Sequence, residues 1–349
     1  MAVRCRRAPR LCFALCSETE EDNDQRLNPN LAMKLLKLTI TALTTAVAIL
    51  LYFLLTDRDR LQRTYLCFRQ ATSIAACYRG KSIDFVAEID GIQYEGNLSN
   101  GIDNDIFYYG AYEKPILFLL RDIMRSVYAN KGAFIDIGAN TGQHSLFMSR
   151  YASEVHAFEP WEPVLKRFRR MIELNHIKNI VVHPVGLGDQ NAKKPFYKPV
   201  EKNLGTGSFV EGFTSDNSYD GELEIRIGDE ALEQAGVGSA ALIKMDIEGY
   251  EKLALRGLRR TLWRDRPIVE FELSVDPKSP VSIKSVRDLN VLFPENYSFA
   301  TFIRSDPSRG TYSLAPIEGL VRFDLKERYD VLAYPTEQAK HLALDGPRN

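Results

Sequence analysis

The chain has 349 residues, 45% hydrophobic and 26% charged, an ordinary globular balance with room for one large or two modest domains. Its formal net charge is −1, which removes any global electrostatic case for nucleic acid or an anionic surface as partner. All five cysteines (Cys5, Cys12, Cys16, Cys67 and Cys77) precede residue 80, so beyond it neither a cysteine-ligated zinc nor a thiol nucleophile is available, and no metal is expected.

Residues 1–32 set Arg4, Arg6, Arg7 and Arg10 ahead of an acidic run, Glu18 to Asp24, and lack apolar periodicity, as a disordered tail does. Met33-Lys34 has the look of a natural start. Leu38 to Thr56 carries no charge over 19 residues, long enough to cross a bilayer. A cleavable signal peptide is the nearer rival, but no small-x-small site follows the apolar core. Residues 33–56 are therefore expected to form a single-pass transmembrane anchor. Arg58, Arg60, Arg63 and Arg69 follow it, against Arg26, Lys34 and Lys37 before it, which predicts a cytoplasmic body. Residues 57–82 read as a polar connector.

Residues 83–128 predict a small β-rich cap. Phe85, Ala87 and Ile89 alternate, Asp90-Gly91 signals a hairpin turn, and Ile92 and Tyr94 resume the alternation. An aromatic run, Ile102 to Tyr112, leads into a helix over Pro115–Tyr128, with Ile116, Leu119, Leu120, Ile123 and Met124 on one face. Tyr108, Tyr109 and Tyr112 suit either a substrate mouth or aromatic packing.

Residues 129–335 predict the main domain, and Ala133 to Glu159 organise it. Phe134, Ile135 and Ile137 make a short strand interrupted by Asp136. The turn Gly138-Ala139-Asn140-Thr141-Gly142 follows, then a helical segment with Leu146, Phe147 and Tyr151 on one face. A second strand, Val155 to Phe158, ends on Glu159. Strand, glycine turn, helix, strand and acid outline a nucleotide-binding βαβ unit. Glycines let the backbone approach a ligand, and a carboxylate at the second strand's tip accepts from ribose hydroxyls. Glu159 lies 23 residues after Asp136, close to the offset of a ribose acid. The glycine spacing is G-x-x-x-G rather than G-x-G-x-x-G, and Asp136 suits an ammonium better than a pyrophosphate. Asp136, Gly138, Asn140, Gly142 and Glu159 are the candidate cofactor contacts. His144, just past Gly142, reads as a packing or surface histidine.

Trp161–Asn175 carries a helical stripe of Val164, Leu165, Phe168, Met171 and Ile172, with Lys166, Arg167, Arg169 and Arg170 as a solvated face. Ile180 to His183 is a third strand, followed by Gly186-Leu187-Gly188-Asp189. Residues 190–238 show no helical pattern, with Leu223 to Ile227 strand-like and 203–208 a glycine-rich loop. Ala240 to Met245 is a buried strand that ends on Asp246-Ile247-Glu248-Gly249-Tyr250-Glu251. Ligands of open α/β sheets sit beyond strand carboxyl ends, so Asp246 and Glu248 are candidate catalytic residues. They share a side if the strand continues that far. The alternative for Glu248 and Glu251 is to cap the helix Tyr250–Leu258. Pro267 to Leu273 is a fifth strand, Ile283 to Leu292 a helix, and Tyr297 to Ile303 and Leu320 to Phe323 closing strands, the latter antiparallel. Residues 336–349 read as a polar tail.

Together FIDIGANTG, the Phe158-Glu159-Pro160 triplet and IKMDIEGYE at Ile243 to Glu251 resemble the FkbM-type family of S-adenosylmethionine-dependent methyltransferases, over roughly Ile83 to Arg304. The resemblance implies a doubly wound Rossmann-like α/β sheet with an antiparallel closing strand. It implies S-adenosylmethionine as cofactor, Asp189 as the adenine contact and Glu272 as an acid on the substrate side. The expected reaction is methyl transfer to a hydroxyl of a small molecule, sugar or lipid-linked glycan, with Asp246 or Glu248 as base. Gly228-Asp229 departs from the Leu-Asp usual after that family's strand. An NAD-dependent oxidoreductase keeps the βαβ unit but lacks its fingerprint here. A membrane-anchored, non-catalytic binder conflicts with intact Asp136, Gly138, Gly142 and Glu159.

Overall fold

The computed structural model describes residues 82–200, 203–274, 279, 281–317, 328–342 and 344, and six helical positions between 41 and 48. The chain divides into two units, Met1–Tyr65 and Leu66–Asn349. Of the first, Thr41, Leu43, Thr44, Thr45, Val47 and Ala48 are described, all helical. Most of the expected anchor, the tail before it and the connector up to residue 81 lie outside the described residues. Among the described residues no helix is long and apolar enough to cross a membrane.

The second unit opens with a hairpin, β1 (Asp84–Ile89) and β2 (Ile92–Asn97), closed by Asp90 and Gly91 with φ of 49° and 81°. Positive φ at both turn residues suits the right-handed twist of the flanking strands. Two helices follow, α1 (Gly101–Tyr109) and α2 (Lys114–Ser126), so the cap is more helical than its sequence suggests. The Asn100 side chain caps α1 by accepting from the Asp103 amide. Ile102 and Ile106, four residues apart, then bury one face. Pro115 occupies the first turn of α2, where its missing N–H costs nothing.

Among the described residues one mixed sheet of eight strands has the order β12-β11-β13-β10-β9-β3-β4-β5. Its parallel part comprises β3 (Ala133–Ile137), β4 (Glu154–Phe158), β5 (Ile180–His183), β9 (Ala240–Met245) and β10 (Ile268–Ser274). Its antiparallel edge comprises β11 (Tyr297–Asp306), β12 (Thr311–Pro316) and β13 (Arg328–Pro335). The antiparallel strand against the parallel set is thus Arg328–Pro335, and Leu320 to Phe323 lies outside the described residues. The helices are α3 (Gln143–Met148), α4 (Glu162–Leu174), α5 (Gly228–Gln234), α6 (Glu251–Gly257), α7 (Arg259–Asp265) and α8 (Val286–Leu292). A separate three-stranded sheet, β6 (Gly186–Gly188), β8 (Ser218–Ile227) and β7 (Ala192–Lys198), lies between β5 and α5 in sequence.

Helix α5 is the element that residues 190–238 gave no sign of. Seven residues with two buried apolar side chains, Ala231 and Leu232, are too few to show a period. Tertiary contact holds it: Asp229 accepts from the amides of Arg260 and Thr261, which open α7, at 2.7 and 2.8 Å.

The sheet is covered on both faces. Phe134, Leu242, Ile268 and Leu332 pack on one side with α2 and α3, whereas Ile135, Ile243, Val269 and Val331 pack on the other with α6, α7 and α8. Alternation therefore persists in strands whose sequence is nearly all apolar. It also puts polar residues in a row. Asp136 lies opposite Lys244, and Lys244 opposite Glu270, across β3, β9 and β10, and all three are 3% exposed or less.

Candidate active site

The cleft opens at the carboxyl ends of β3, β4 and β9. Gly138, Asn140, Glu159, Trp161, Asp246 and Ile247 line it, with Val164, Phe196, Leu204 and Phe209 as an apolar wall, around a cavity of about 50 Å³. A larger depression of about 540 Å³ near Asn191 and Glu230 is a shallow surface hollow away from these strand ends, and we assign it no chemistry.

The turn between β3 and α3 is bound into itself. Gly138 and Ala139 both donate to the Phe158 carbonyl, at 2.9 and 3.1 Å, and Gly142 donates to the Ala139 carbonyl at 2.8 Å. The Asn140 amide donates to Glu159 Oε2 at 3.0 Å, and the Thr141 amide to Asn140 Oδ1 at 2.7 Å. All five amides of the turn are consumed. Gly138 and Gly142 have φ of 83°, and a Cβ would overlap the Asp246 carbonyl at the first and the Phe168 ring at the second. Glycine is therefore required by the protein's own packing at both positions.

Glu159 is 8% exposed and accepts two backbone amides, from Asn140 and from Trp161 at 3.0 and 2.8 Å. Burial pushes its carboxyl up to about 7, against the pull of those two donors. Asp136 is buried, with Oδ2 taking the Ser145 hydroxyl at 2.6 Å and Oδ1 without a hydrogen-bond partner. Burial raises its pKa, opposed by Lys244. Asn140 Nδ2 donates to the Leu204 carbonyl at 2.9 Å and so ties the 203–208 loop over the cleft.

Asp189 stands elsewhere. It follows β6, which belongs to the smaller sheet, and its carboxylate lies 4.0 Å from Arg256 of α6. It is absent from the cleft lining, and the side chains that form a wall there are Trp161, Phe196 and Phe209. Trp161 carries a sequence signal as one of two tryptophans, directly after Glu159-Pro160. Phe196 lies on β7 and Phe209 in the segment between β7 and β8, and neither carries a sequence signal.

Beyond the cleft lies a carboxylate-rich chamber. Strand β9 stops at Met245, so Asp246 and Glu248 do not share a strand face; Glu248 takes a left-handed conformation with φ 52°. The turn still keeps them in one neighbourhood with Glu272. Glu251, the first residue of α6, accepts from the amides of Ile247 and Gly249 at 3.3 and 3.1 Å, so it ties down the preceding turn and makes no side-chain cap to the helix, whereas Glu248 Oε2 has no hydrogen-bond partner. Arg328 lies 3.0 Å from Glu272 and 3.8 Å from Glu248. Burial lifts the pKa values of Glu248 and Glu272, and neighbouring Asp246 adds to both shifts.

Lys244 was not anticipated. It is 3% exposed, with Nζ 3.2 Å from Asp246 Oδ2 and 4.0 Å from Glu113 Oε2. Burial opposes its charge, but Asp246, Glu113, Glu270 and Asp136 outweigh it and hold the ammonium charged. A lysine amid an apolar strand sequence, between Ile243 and Met245, was the available signal. Glu113 enters from the cap with φ 48°, and burial raises its pKa. His144 is 7% exposed, and burial keeps its imidazole neutral.

The cap is locked to the turn by a buried network. Tyr94 donates to Asp103 Oδ1 at 2.9 Å and meets Thr141 Oγ1 at 3.1 Å, while Arg167 of α4 donates to both Asp103 oxygens at 2.8 and 2.7 Å. Gln143 clasps the Tyr112 backbone through its amide and carbonyl at 2.6 and 2.8 Å. The clasp fixes the Tyr112 backbone, and its hydroxyl feels Glu113, Asp246, Lys244 and Glu272.

Residues 136–300 match the family model of the methyltransferase FkbM domain. Methyltransferase 1 of Beauveria bassiana (strain ARSEF 2860) is 27% identical over 162 residues, covering 39% of this chain and 63% of that protein. Hexuronic acid methyltransferase AglP of Haloferax volcanii is 30% identical over 161 residues, covering 44% and 62% respectively. The match thus spans a little under two thirds of each curated relative. The methyltransferase FkbM structure from Methylobacillus flagellatus KT aligns with a TM-score of 0.37 at 17% identity, covering 66% of this chain and 53% of that one.

Proposed function

We propose, from a chain that carries a methyltransferase FkbM domain over residues 136–300, that the protein transfers a methyl group from S-adenosylmethionine to an oxygen of a sugar or other polyhydroxylated acceptor. The observation that carries the cofactor assignment is the closed turn. A pyrophosphate needs free amides at the glycine turn, and here all five amides from Gly138 to Gly142 are bound internally. That disfavours NAD.

The remaining groups fit the other cofactor. Asp136 Oδ1 is buried and unpartnered behind the turn, a site that suits an ammonium, although Asp136 is 1% exposed and, like Asp189, absent from the cleft lining. Glu159 suits the ribose hydroxyls, and the wall of Trp161, Phe196 and Phe209 suits an adenine face. When bound, the cofactor supplies an electrophilic methyl group on a sulfonium. The protein's own part is positioning and proton removal. Asp246 lines the cleft and also borders the carboxylate chamber, so it stands between cofactor and acceptor. Lys244 holds its carboxylate from behind, at 3.2 Å. Glu248, whose buried Oε2 makes no hydrogen bond and lies 3.8 Å from Arg328, is the second candidate base.

The hexuronic acid methyltransferase relative supports a sugar acceptor. A cytoplasmic body behind an anchor at Leu38–Thr56 is the economical placement, because the cytoplasm supplies S-adenosylmethionine directly. Calorimetric titration with S-adenosylhomocysteine and with NAD tests the cofactor. Micromolar binding of NAD with none of S-adenosylhomocysteine would overturn the assignment. Transfer of a labelled methyl group to a panel of sugars then separates an enzyme from a binder.

A further inference from the structure

The cleft holds about 50 Å³, whereas a pocket for a ligand of the cofactor's size holds about 300 Å³ or more. Most of its lining is too well tied to yield the difference. Every amide from Gly138 to Gly142 is bonded, Glu159 accepts two amides, Phe196 sits on β7, and the Trp161 indole donates to Asp220 Oδ2 at 3.0 Å. The exception is a strap, residues 203–207, which supplies Leu204, Gly205 and Gly207 to the lining and belongs to no strand or helix. Asn140 Nδ2 donates to the Leu204 carbonyl at 2.9 Å, and Asn217 Nδ2 donates to the Thr206 carbonyl. Leu204 also packs beside Trp161, Val164 and Phe196.

The strap runs into Ser208, which is held quite differently. Ser208 is 1% exposed and pairs with Tyr197 of β7 through two backbone hydrogen bonds, at 2.9 and 3.1 Å. Its hydroxyl donates to the Glu248 carbonyl at 2.7 Å and accepts the Val210 amide at 2.9 Å. Glu248 needs such a hold. Its φ of 52° lies in the left-handed region, which a glutamate leaves unless neighbouring groups fix it. Gly249 follows at φ 95°, and a Cβ there would overlap Phe213, five residues beyond Ser208. The loop that closes the cleft therefore also shapes the turn that carries the second candidate base.

We propose that residues 203–208 form a gate over the cofactor cleft, and that its closure, through Ser208, seats the turn that carries Glu248. The gate lifts when Asn140 and Asn217 release the Leu204 and Thr206 carbonyls, which then bond to water. Lifting it pulls on Ser208 and loosens the Glu248 carbonyl, so Glu248 is set only with the strap down. This rests on the methyl-transfer reading and deepens it. The cofactor enters before the acceptor, because the strap that closes over the first completes the site for the second.

The test uses S-adenosylhomocysteine and the full chain, with no acceptor. Stopped-flow tryptophan fluorescence follows association and dissociation, with Trp161 in the cleft as reporter. Asn217→Ala removes one latch, and neither Asn217 nor Thr206 lines the cleft. It should raise both rate constants about fivefold, the worth of one hydrogen bond, and leave Kd nearly unchanged. Asn140→Ala should speed association likewise, whereas loss of a direct cofactor contact would speed dissociation alone. Unchanged association in both variants overturns the gate. Hydrogen exchange reads the coupling. S-adenosylhomocysteine should slow exchange in residues 203–208 and also in residues 248–251, which lie outside the cleft lining. In Ser208→Ala the strap should still be slowed and residues 248–251 should not. Equal slowing of 248–251 in Ser208→Ala and wild type overturns the coupling, as does no slowing there in the wild type. Each of these results, alongside intact S-adenosylhomocysteine binding, leaves the methyl-transfer reading standing. No binding by the wild-type chain sinks that reading and the gate with it.

Discussion

Glu159→Gln isolates what the acid at the tip of β4 does. In the free protein both carboxylate oxygens already accept a backbone amide, from Asn140 and from Trp161. Glutamine supplies one acceptor and one NH₂ group, so one of those amides must face a donor. That loss is present with and without cofactor and cancels from the affinity. Relief of burying an acid whose carboxyl sits at about 7 offsets it in stability at pH 8. The ribose contact does not cancel. A hydrogen bond to a charged acceptor contributes about 1.5–3 kcal/mol, so the variant should bind S-adenosylhomocysteine about 10- to 100-fold more weakly at pH 8. The pH dependence follows with a definite sign. Hydroxyl donors favour the carboxylate, so below about pH 7 binding must expel a proton from Glu159, and wild-type affinity falls by up to about tenfold per pH unit. In Glu159→Gln that slope disappears. Calorimetry between pH 6 and 9 in two buffers of different ionisation heat reads both affinity and proton release. Equal affinities at pH 8, or a wild-type affinity flat through pH 7, would refute the ribose role.

Asp246→Asn should cut turnover at least 100-fold and leave S-adenosylhomocysteine affinity within about threefold, since its carboxylate borders the acceptor side; full turnover in a methyl-transfer assay removes it from the mechanism. Asp103→Ala removes the carboxylate shared by Arg167 and Tyr94, leaving Arg167 the Glu95 carbonyl and Tyr94 the Thr141 hydroxyl, and should cost about 3 kcal/mol in urea unfolding; a loss under 1 kcal/mol means the network is dispensable. Glu159 and Glu251 both have carboxyls raised to about 7 by burial, above their unfolded value. The stability each contributes is therefore complete below about pH 4 and lost as pH rises through 7, and Glu251→Gln should flatten that part of the stability profile measured by denaturant midpoint. For topology, of the two N-glycosylation sequons, Asn97-Leu98-Ser99 and Asn296-Tyr297-Ser298, Asn296 is the reporter. It is exposed, whereas the Asn97 amide is committed to Ser82 and Asp84 at 2.8 Å. A shift on N-glycan removal after expression in glycosylating cells would overturn a cytoplasmic body.

Local physics wrote much of this protein in its sequence. Ala133 to Glu159 announces a strand, a glycine turn, a short helix and a strand ending on an acid, because period and turn chemistry are local properties. The helices α2 and α4 and the hairpin β1–β2 are visible for the same reason. Helices α5 and α7 were not: they are joined by Asp229 reaching across to Thr261, a contact between segments that no local pattern announces. The wall of Phe196 and Phe209 and the displacement of Asp189 depended on where the three-stranded sheet lands. The row Asp136–Lys244–Glu270 depended on strand register, since a slip of one residue would turn all three to the other face. The convergence of Glu113, His144, Asp246 and Glu272 needed four segments from 113 to 272 to meet at one end of the sheet. Residue type says that a carboxylate prefers water or a cation. Only the order of the strands decides which carboxylates are deprived of water together.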